Sequence, residues 1–490
     1  MSRPPSTLER RYIARNTLNC YSNFNVTATY NKPVSKAQLS QALRTIMLAN
    51  DNLLLNAFRK NASDTTEDDR RENGHNWVIK SVQRVRFNDV VSFKKIDQDP
   101  QLDESQILAE HFSDVCSKTC ALDIDTPPWR LLVFETGKKT YFTFYFDHTF
   151  YDGYVGAHFH KDLVAQLDKQ QAPEYVDLLY DQEQDGPADL YSTYYEQVQL
   201  YTPPWYYSIL NKIGQLKVVK WVSALFDQIA YRFSSIAFLR KVFGLRFRLN
   251  PSALSRPIFS YKPTAISFAT KYQIVSLSSS ELQEVLGFCK KHTLTFTPFL
   301  DVLTVKTMEQ VIRPQVSPTP VSYFHFTATN GRRYFPYKKY VTAASAYPTM
   351  FGNIVGLPLE HTIDLIKSHG ERISKIVKHR VPFRGQGMQM EGTNYWDAFL
   401  GSEGQMVRPT AAVTNIGNHK FDCGSWKIDD MWFSQSNGTA FHFVLNVVSS
   451  HGGANIVVGF LPEYEELMEG RMMETFGKKL KENVMEMVKN

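Results

Sequence analysis

The sequence predicts an α/β fold in two parts. Three observations carry that expectation: the length, strand and helix patterns that recur in both halves, and a basic stretch between them. At 490 residues the chain exceeds what one ordinary core encloses, so two domains or one large pseudo-repeat is expected. The composition is globular, with 43% hydrophobic and 21% charged residues. The 13% aromatic share fits many strands with aromatic cross-strand pairs; the alternative is a greasy tunnel or a membrane-facing surface.

The elements follow in order. Residues 9–25 read as a helix start leading into the β-branched strand 24–30. Ser35 caps a helix that carries Leu39, Leu43 and Met47 on one face. Residues 60–76 are charged and aperiodic, a surface loop. A helix over 102–119 ends before Pro127-Pro128-Trp129, which opens the strand 130–135. The run Tyr141-Phe-Thr-Phe-Tyr-Phe146 is apolar on both faces, as a central strand is. From Gly153 the pattern is helical through Leu167, and residues 174–189 are acidic, the start of a crossover. The second half begins near Pro257. It predicts strands at 273–277, 321–329, 411–416, 440–448 and 455–461, with helices at 281–292, 297–312 and 465–488. The expected division is 1–195, a crossover at 196–256, and 257–490.

Charge is unevenly spread. Between Trp205 and Asn250 eight Lys and Arg face Asp227 alone, a net +7 against +6 for the whole chain. One local basic element is expected, not a nucleic-acid surface. Within it Val218, Val222, Leu225, Phe226, Ile229, Phe233 and Ile236 recur at helical steps, with Lys217, Lys220 and Arg232 between them. A core-packed helix with a solvated face explains this; an interfacial helix on anionic lipid is the alternative.

The five scattered cysteines, Cys20, Cys116, Cys120, Cys289 and Cys423, argue for a reducing compartment. Neither Cys116 with Cys120 nor His158 with His160 forms a metal-ligand set. The first fifteen residues hold four arginines and no apolar run, so no secretory leader is read, and no stretch reads as a membrane span.

The chemistry-bearing segment is His148-Thr-Phe-Tyr-Asp152-Gly153. It follows a strong strand and opens a helix, where reactive side chains are commonly held. Imidazole titrates near neutrality and takes a proton from a hydroxyl or amine as it attacks a carbonyl. Asp152 would lock the turn by pairing with an arginine, and Gly153 lets the chain turn tightly. On spacing alone a core histidine and a helix-cap aspartate is the favoured reading; the place after a strong strand near residue 150 of a long chain lifts the catalytic one. No Gly-x-Ser-x-Gly, Walker loop, Gly-x-Gly-x-x-Gly or His-Glu-x-x-His competes.

With these residues the chain resembles the chloramphenicol-acetyltransferase-like, CoA-dependent acyltransferases, which include the plant BAHD enzymes, condensation domains and fungal alcohol acetyltransferases. His148-x-x-x-Asp152-Gly153 matches the superfamily motif, and Phe351-Gly-Asn353 matches the Phe-Gly-Asn of BAHD enzymes. Arg332 sits where those enzymes pair an arginine with the motif aspartate. Trp129-Arg-Leu131 and Glu9-Arg-Arg-Tyr-Ile-Ala-Arg-Asn16 are similar to segments of the fungal alcohol acetyltransferases. Two departures stand out. The BAHD Asp-Phe-Gly-Trp-Gly is missing, Asn415-Ile-Gly417 being the nearest glycine-bearing segment. Asp147 replaces the second histidine of condensation domains.

The resemblance implies two similar domains, each a largely antiparallel mixed sheet with helices, and a tunnel at their interface. It implies acetyl-CoA as co-substrate, no metal, and an alcohol as acceptor. His148 would be the base, Asp152–Arg332 a structural pair, and Thr414 and Asn415 candidate oxyanion or substrate contacts. No acyl-enzyme would form. An intracellular, cytoplasmic monomer is expected, peripheral to endoplasmic reticulum or lipid droplets if the basic segment meets lipid. The rivals are N-acetylation of a sphingoid or drug amine, and a catalytically inactive lipid-surface protein.

Overall fold

The structure, a computed structural model, describes residues 2–20, 23–95, 103–136, 139–170, 172–190, 201–202, 204–206, 209, 269–316, 323–334, 340, 342, 344–351, 359–390, 393–400, 410–438, 441–466 and 470–489. The basic segment 210–250, including Lys217, Lys220 and Arg232, lies outside them, as do Gly352 and Asn353.

Two six-stranded mixed sheets organise the chain. The first runs in the order Asp422–Cys423, Trp426–Gln435, Asn23–Tyr30, Thr140–Asp147, Trp129–Glu135, Val91–Lys95. Only its last pair is parallel. The second runs Lys271–Ser278, Gly453–Phe460, Phe443–Ser450, Ala411–Asn418, Tyr323–Asn330, Ala344–Phe351. Its two parallel pairings flank Ala411–Asn418. Each sheet packs its own core, and a third cluster joins them: Leu108, Phe112, Cys116, Phe134 and Tyr141 from the first half with Tyr272, Ile274, Trp432 and Val457 from the second.

The local reasons match the sequence patterns. Ser35 accepts from the Gln38 amide and the Gln38 side chain accepts from the Ser35 amide, so the helix Lys36–Leu48 begins where expected. Thr140–Asp147 is paired on both edges and buried on both faces, the central position its apolar run predicts. The terminal helix Met472–Lys489 buries Phe476, Leu480 and Val484 as one stripe.

Two expectations are corrected. Residues 60–76 are not merely a loop: Thr65 caps a short helix, Thr66–Arg71, and fully buried Asp69 anchors it. That carboxylate accepts from Arg59 (2.7 and 3.2 Å), Trp77 Nε1 (2.7 Å) and Asn76 Nδ2 (2.9 Å). Before the two strands expected at 440–448 and 455–461, residues 431–462 hold part of a third that the sequence reading did not give. It belongs to Trp426–Gln435, which leaves its own half and pairs with Asn23–Tyr30 in the first sheet.

Candidate active site

His148 follows the strand Thr140–Asp147, and Asp152 is the N-cap of the helix Gly153–Asp168. The three residues between them, Thr149, Phe150 and Tyr151, form the turn. His148 Nδ1 donates to the Tyr151 carbonyl at 2.7 Å, closing that turn and making Nε2 the basic nitrogen. Tyr151 in turn donates its hydroxyl to the Asn52 carbonyl at 2.8 Å, and Trp129 Nε1 donates to the Leu53 carbonyl at 2.9 Å. The segment 52–53 thus braces both the motif and the strand beside it.

Asp152 does two jobs. Its Oδ1 accepts from the Val155 amide at 3.1 Å, capping the helix. Its two oxygens also accept from Arg332 NH1 at 3.0 Å and NH2 at 2.8 Å, a bidentate pair with both side chains buried. Arg332 lies just after the strand Tyr323–Asn330, so this pair ties the first sheet to the second. Its guanidinium also lies over the Tyr154 ring, 4.4 Å from the centroid. Gly153 sits where Ile416 and Phe433 press inward; a Cβ there would lie 2.8 Å from each.

The imidazole is buried between two rings. Phe24 packs on it at a centroid distance of 4.1 Å and Tyr12 at 4.3 Å. Burial pushes the His148 imidazole down to about 4; Arg15 and Arg11 act in the same direction, against Asp152 and the Tyr151 bond. The ring is therefore neutral at physiological pH. Asp147, at the position of the second histidine in condensation domains, is held by Asn16 Nδ2 and the Thr149 amide, both at 2.8 Å. Burial raises its carboxyl above the usual range.

Thr414 and Asn415 lie on the strand Ala411–Asn418, next to the Ile416 that meets Gly153. Thr414 Oγ1 accepts from Gln435 Nε2 at 3.3 Å, which leaves its O–H able to donate. The Asn415 amide donates to Thr297 Oγ1 at 3.1 Å and accepts from the Gly417 amide at 2.9 Å. His158 and His160 diverge: His160 is bonded to Tyr30 and the Val26 carbonyl, while His158 lies near His419. Among the described residues no group of three His, Cys, Asp or Glu is placed to hold a metal ion, and no helix is long and apolar enough to cross a membrane.

Sequence reasoning missed the roles of Tyr12, Phe24 and Asn16. The signal was present for two of them. Tyr12 and Asn16 are four apart in the helix Thr7–Thr17, within the very segment singled out by resemblance, and so share a face.

With this geometry in hand the comparisons can be set beside it. Residues 6–482 match the alcohol acetyltransferase family. No curated protein sequence is significantly similar. Among solved structures, the trichothecene 15-O-acetyltransferase of Fusarium sporotrichioides superposes with a TM-score of 0.62 at 9% identity, covering 99% of this chain and 95% of that one. The condensation domain of the monacolin K polyketide synthase gives 0.57 at 12% identity, covering 100% and 98%. The epimerization domain from the third module of tyrocidine synthetase B also gives 0.57 at 12%, with the same coverage. At these identities the likeness is one of fold, two-domain and chloramphenicol-acetyltransferase-like.

Proposed function

Since the chain belongs to the alcohol acetyltransferase family, and so is an acyltransferase that uses an acyl-CoA and a small-molecule alcohol, we propose that His148 is its general base. The observation that carries this reading is the tautomer: Nδ1 is spent on the Tyr151 carbonyl, so Nε2 is the nitrogen that accepts a proton.

The acceptor hydroxyl gives its proton to His148 Nε2 as its oxygen attacks the thioester carbonyl of acetyl-CoA. The tetrahedral oxyanion collapses, the C–S bond breaks, and the CoA thiolate takes the proton back from the imidazolium. No bond forms between acyl group and protein. Each of the two proposed oxyanion donors keeps a hydrogen to give: the Thr414 hydroxyl accepts from Gln435, and the Asn415 amide has one of its two N–H on Thr297. Each such donor is typically worth a few kcal/mol. Asp152 and Arg332 hold the turn and join the halves; they do not touch the reacting atoms. The active-site tunnel and the division at 1–195, 196–256 and 257–490 belong to this reading, with Trp426–Gln435 as the strand the second part lends to the first.

Release of free CoA thiol from acetyl-CoA, measured with purified protein and a panel of alcohols, tests the reaction. His148→Ala is expected to abolish it while the protein stays folded. Near-unchanged turnover in that variant would remove His148 as the base. Peripheral membrane attachment through the basic segment is a separate proposal, made on sequence alone. Flotation with anionic liposomes tests it, and no binding even at low salt would end it.

A further inference from the structure

We propose that Tyr12 and Asn16, on one face of the helix Thr7–Thr17, are positioning residues for His148. Asn16 fixes the chain where the motif begins, and Tyr12 covers the imidazole so that the ring cannot turn and water cannot reach it from that side. This rests on the reading of His148 as the base.

One helix face meets two consecutive residues. Tyr12 and Asn16 stand at i and i+4 of Thr7–Thr17. Asn16 Nδ2 donates to Asp147 Oδ2 at 2.8 Å and to the Cys120 carbonyl at 3.0 Å. The Tyr12 ring lies against the next residue, His148, at a centroid distance of 4.3 Å and an interplanar angle of 41°. Phe24 meets the imidazole at 4.1 Å and 62°. Phe24 is itself stacked with Phe146 at 6.0 Å and Phe433 at 5.9 Å, so the sheet holds it. Tyr12 is the part of the clamp that comes from outside the sheet.

The helix is built to keep that position. Ser6 and Glu9 form a capping box at its start, and Arg3 donates to Glu9 at 2.7 and 2.9 Å. Leu8, Ile13 and Ala14 are fully buried, and Arg10 donates to the Asn73 carbonyl at 2.9 Å. The bond from Nδ1 to the Tyr151 carbonyl leaves an imidazole able to pivot; the two flanking rings remove that freedom. Among the described residues the Tyr12 hydroxyl makes no hydrogen bond, so the ring is its working part. Burial is the largest influence on the imidazole, ahead of Asp152 on the motif and of Arg15 and Arg11 on the same helix. Asp147 beside it is held by Asn16, and Arg332 from the second half is bound to Asp152. Tyr12 is only half-buried, so removing its ring lets water reach His148.

Two measurements test the clamp: NMR titration of the His148 imidazole, and the pH profile of acetyl transfer. In Tyr12→Ala the imidazole, and with it the acidic limb of kcat/KM, is expected to rise from about 4 by at least about one unit. At neutral pH kcat should fall about tenfold to 10²-fold with KM within a few-fold, as expected for a misplaced base. Tyr12→Phe keeps the ring and should restore both the titration and kcat. If Tyr12→Ala does not fold, Tyr12→Leu carries the same expectation. Asn16→Ala should lower kcat about tenfold, again with little change in KM. An imidazole unmoved by loss of the ring would overturn the proposal, and so would a loss confined to KM. Equal losses in Tyr12→Phe and Tyr12→Ala, or an unchanged kcat in Asn16→Ala, would overturn it too. The NMR titration needs no turnover, so failure of the clamp is read apart from failure of His148 as the base, which acetyl transfer by His148→Ala reports.

Discussion

Two buried histidine–aspartate clusters, one in each half, use the same residue types in opposite ways. In the first, Asp152 is committed to Arg332 and to its helix, while His148 spends Nδ1 on a backbone carbonyl. In the second, Asp301 takes His325 Nε2 at 2.9 Å, His369 Nε2 at 2.8 Å and the Thr327 hydroxyl at 2.9 Å. Asp301 thereby cross-links the helix Phe296–Val311, the strand Tyr323–Asn330 and the helix Leu359–Lys378, and all three side chains are fully buried. Burial alone would raise the Asp301 carboxyl, but His325 and His369 outweigh it and hold it down to about 2. The clusters differ in which nitrogen is spent: both second-half histidines give Nε2 to a carboxylate, while His148 gives Nδ1 to the turn that presents it, which is the arrangement the proposed base role requires.

The contrast is most open to attack through activity. His148→Ala is expected to cost about 10²–10⁴-fold in kcat/KM, the range for a positioned general base. His325→Ala and His369→Ala should leave kcat/KM per folded molecule within a few-fold and lower the denaturation midpoint instead. If either second-half variant lost as much turnover as His148→Ala, the division into base and rivet would be wrong.

Removing the carboxylates should move stability in both halves. Asp152→Ala leaves Arg332 buried without its counter-charge, a change expected to cost about 3–5 kcal/mol. Arg332→Ala should cost a similar amount, and the double variant little more than either one, since the two act as a unit. Denaturant titration checks this, and fully additive losses would sink the pairing. Asp301→Asn should destabilise on the same scale, with no separate effect on turnover.

Acid separates the clusters by pH. Burial holds His148, His160 and His419 at about 4 and His111 at about 3. Above the ordinary histidine value of about 6.5 both states are neutral and these groups contribute nothing. Below it the unfolded chain takes protons first, so stability falls from about pH 6.5 to about pH 4 and then levels. Asp301 acts lower: its depressed carboxyl stabilises the fold above about pH 4, and that contribution is lost as pH falls towards about 2. Denaturation midpoints measured against pH should show both windows. His148→Ala should remove about one of the four protons from the upper window and none from the lower. The same depressed value predicts that kcat/KM stays level through neutrality, with its acidic limb near 4 and not near 6.5.

Much of the first half was legible in the sequence because its signals are local. The alternation of 24–30, the Ser35 cap and the doubly apolar run before His148 each depend on neighbours within a few residues. The Asp152–Arg332 pair spans the chain, and only the resemblance pointed to it. The loan of Trp426–Gln435 to the first sheet was not legible, because pairing with Asn23–Tyr30 leaves no mark within either strand. Asp69 was hidden for a related reason. An acid in a charged stretch reads as surface, and only the fold brings Arg59, Asn76 and Trp77 around it. The Asp301 cluster draws on three elements 68 residues apart at their extremes, with no periodicity to announce it.

The smallest expected effect bears on how closely the two halves meet at the motif. Gly153 opens the helix after Asp152, and a glycine there would ordinarily weaken a helix relative to alanine. Alanine should therefore stabilise the protein if propensity alone decided. Here a Cβ would stand 2.8 Å from Ile416 Cγ2 and from Phe433 Cε2 and Cζ. Those side chains come from one strand of each sheet, and fully buried Phe433 has no room to yield cheaply. Gly153→Ala is expected to cost about 1–3 kcal/mol, as overpacking does. The displaced helix N-terminus should also loosen the Asp152–Arg332 geometry and lower turnover modestly. Ile416→Ala, which removes the Cγ2 in question, would relieve part of the crowding in the Gly153→Ala background. Stabilisation by Gly153→Ala would show that the halves stand further apart at the motif than these contacts require.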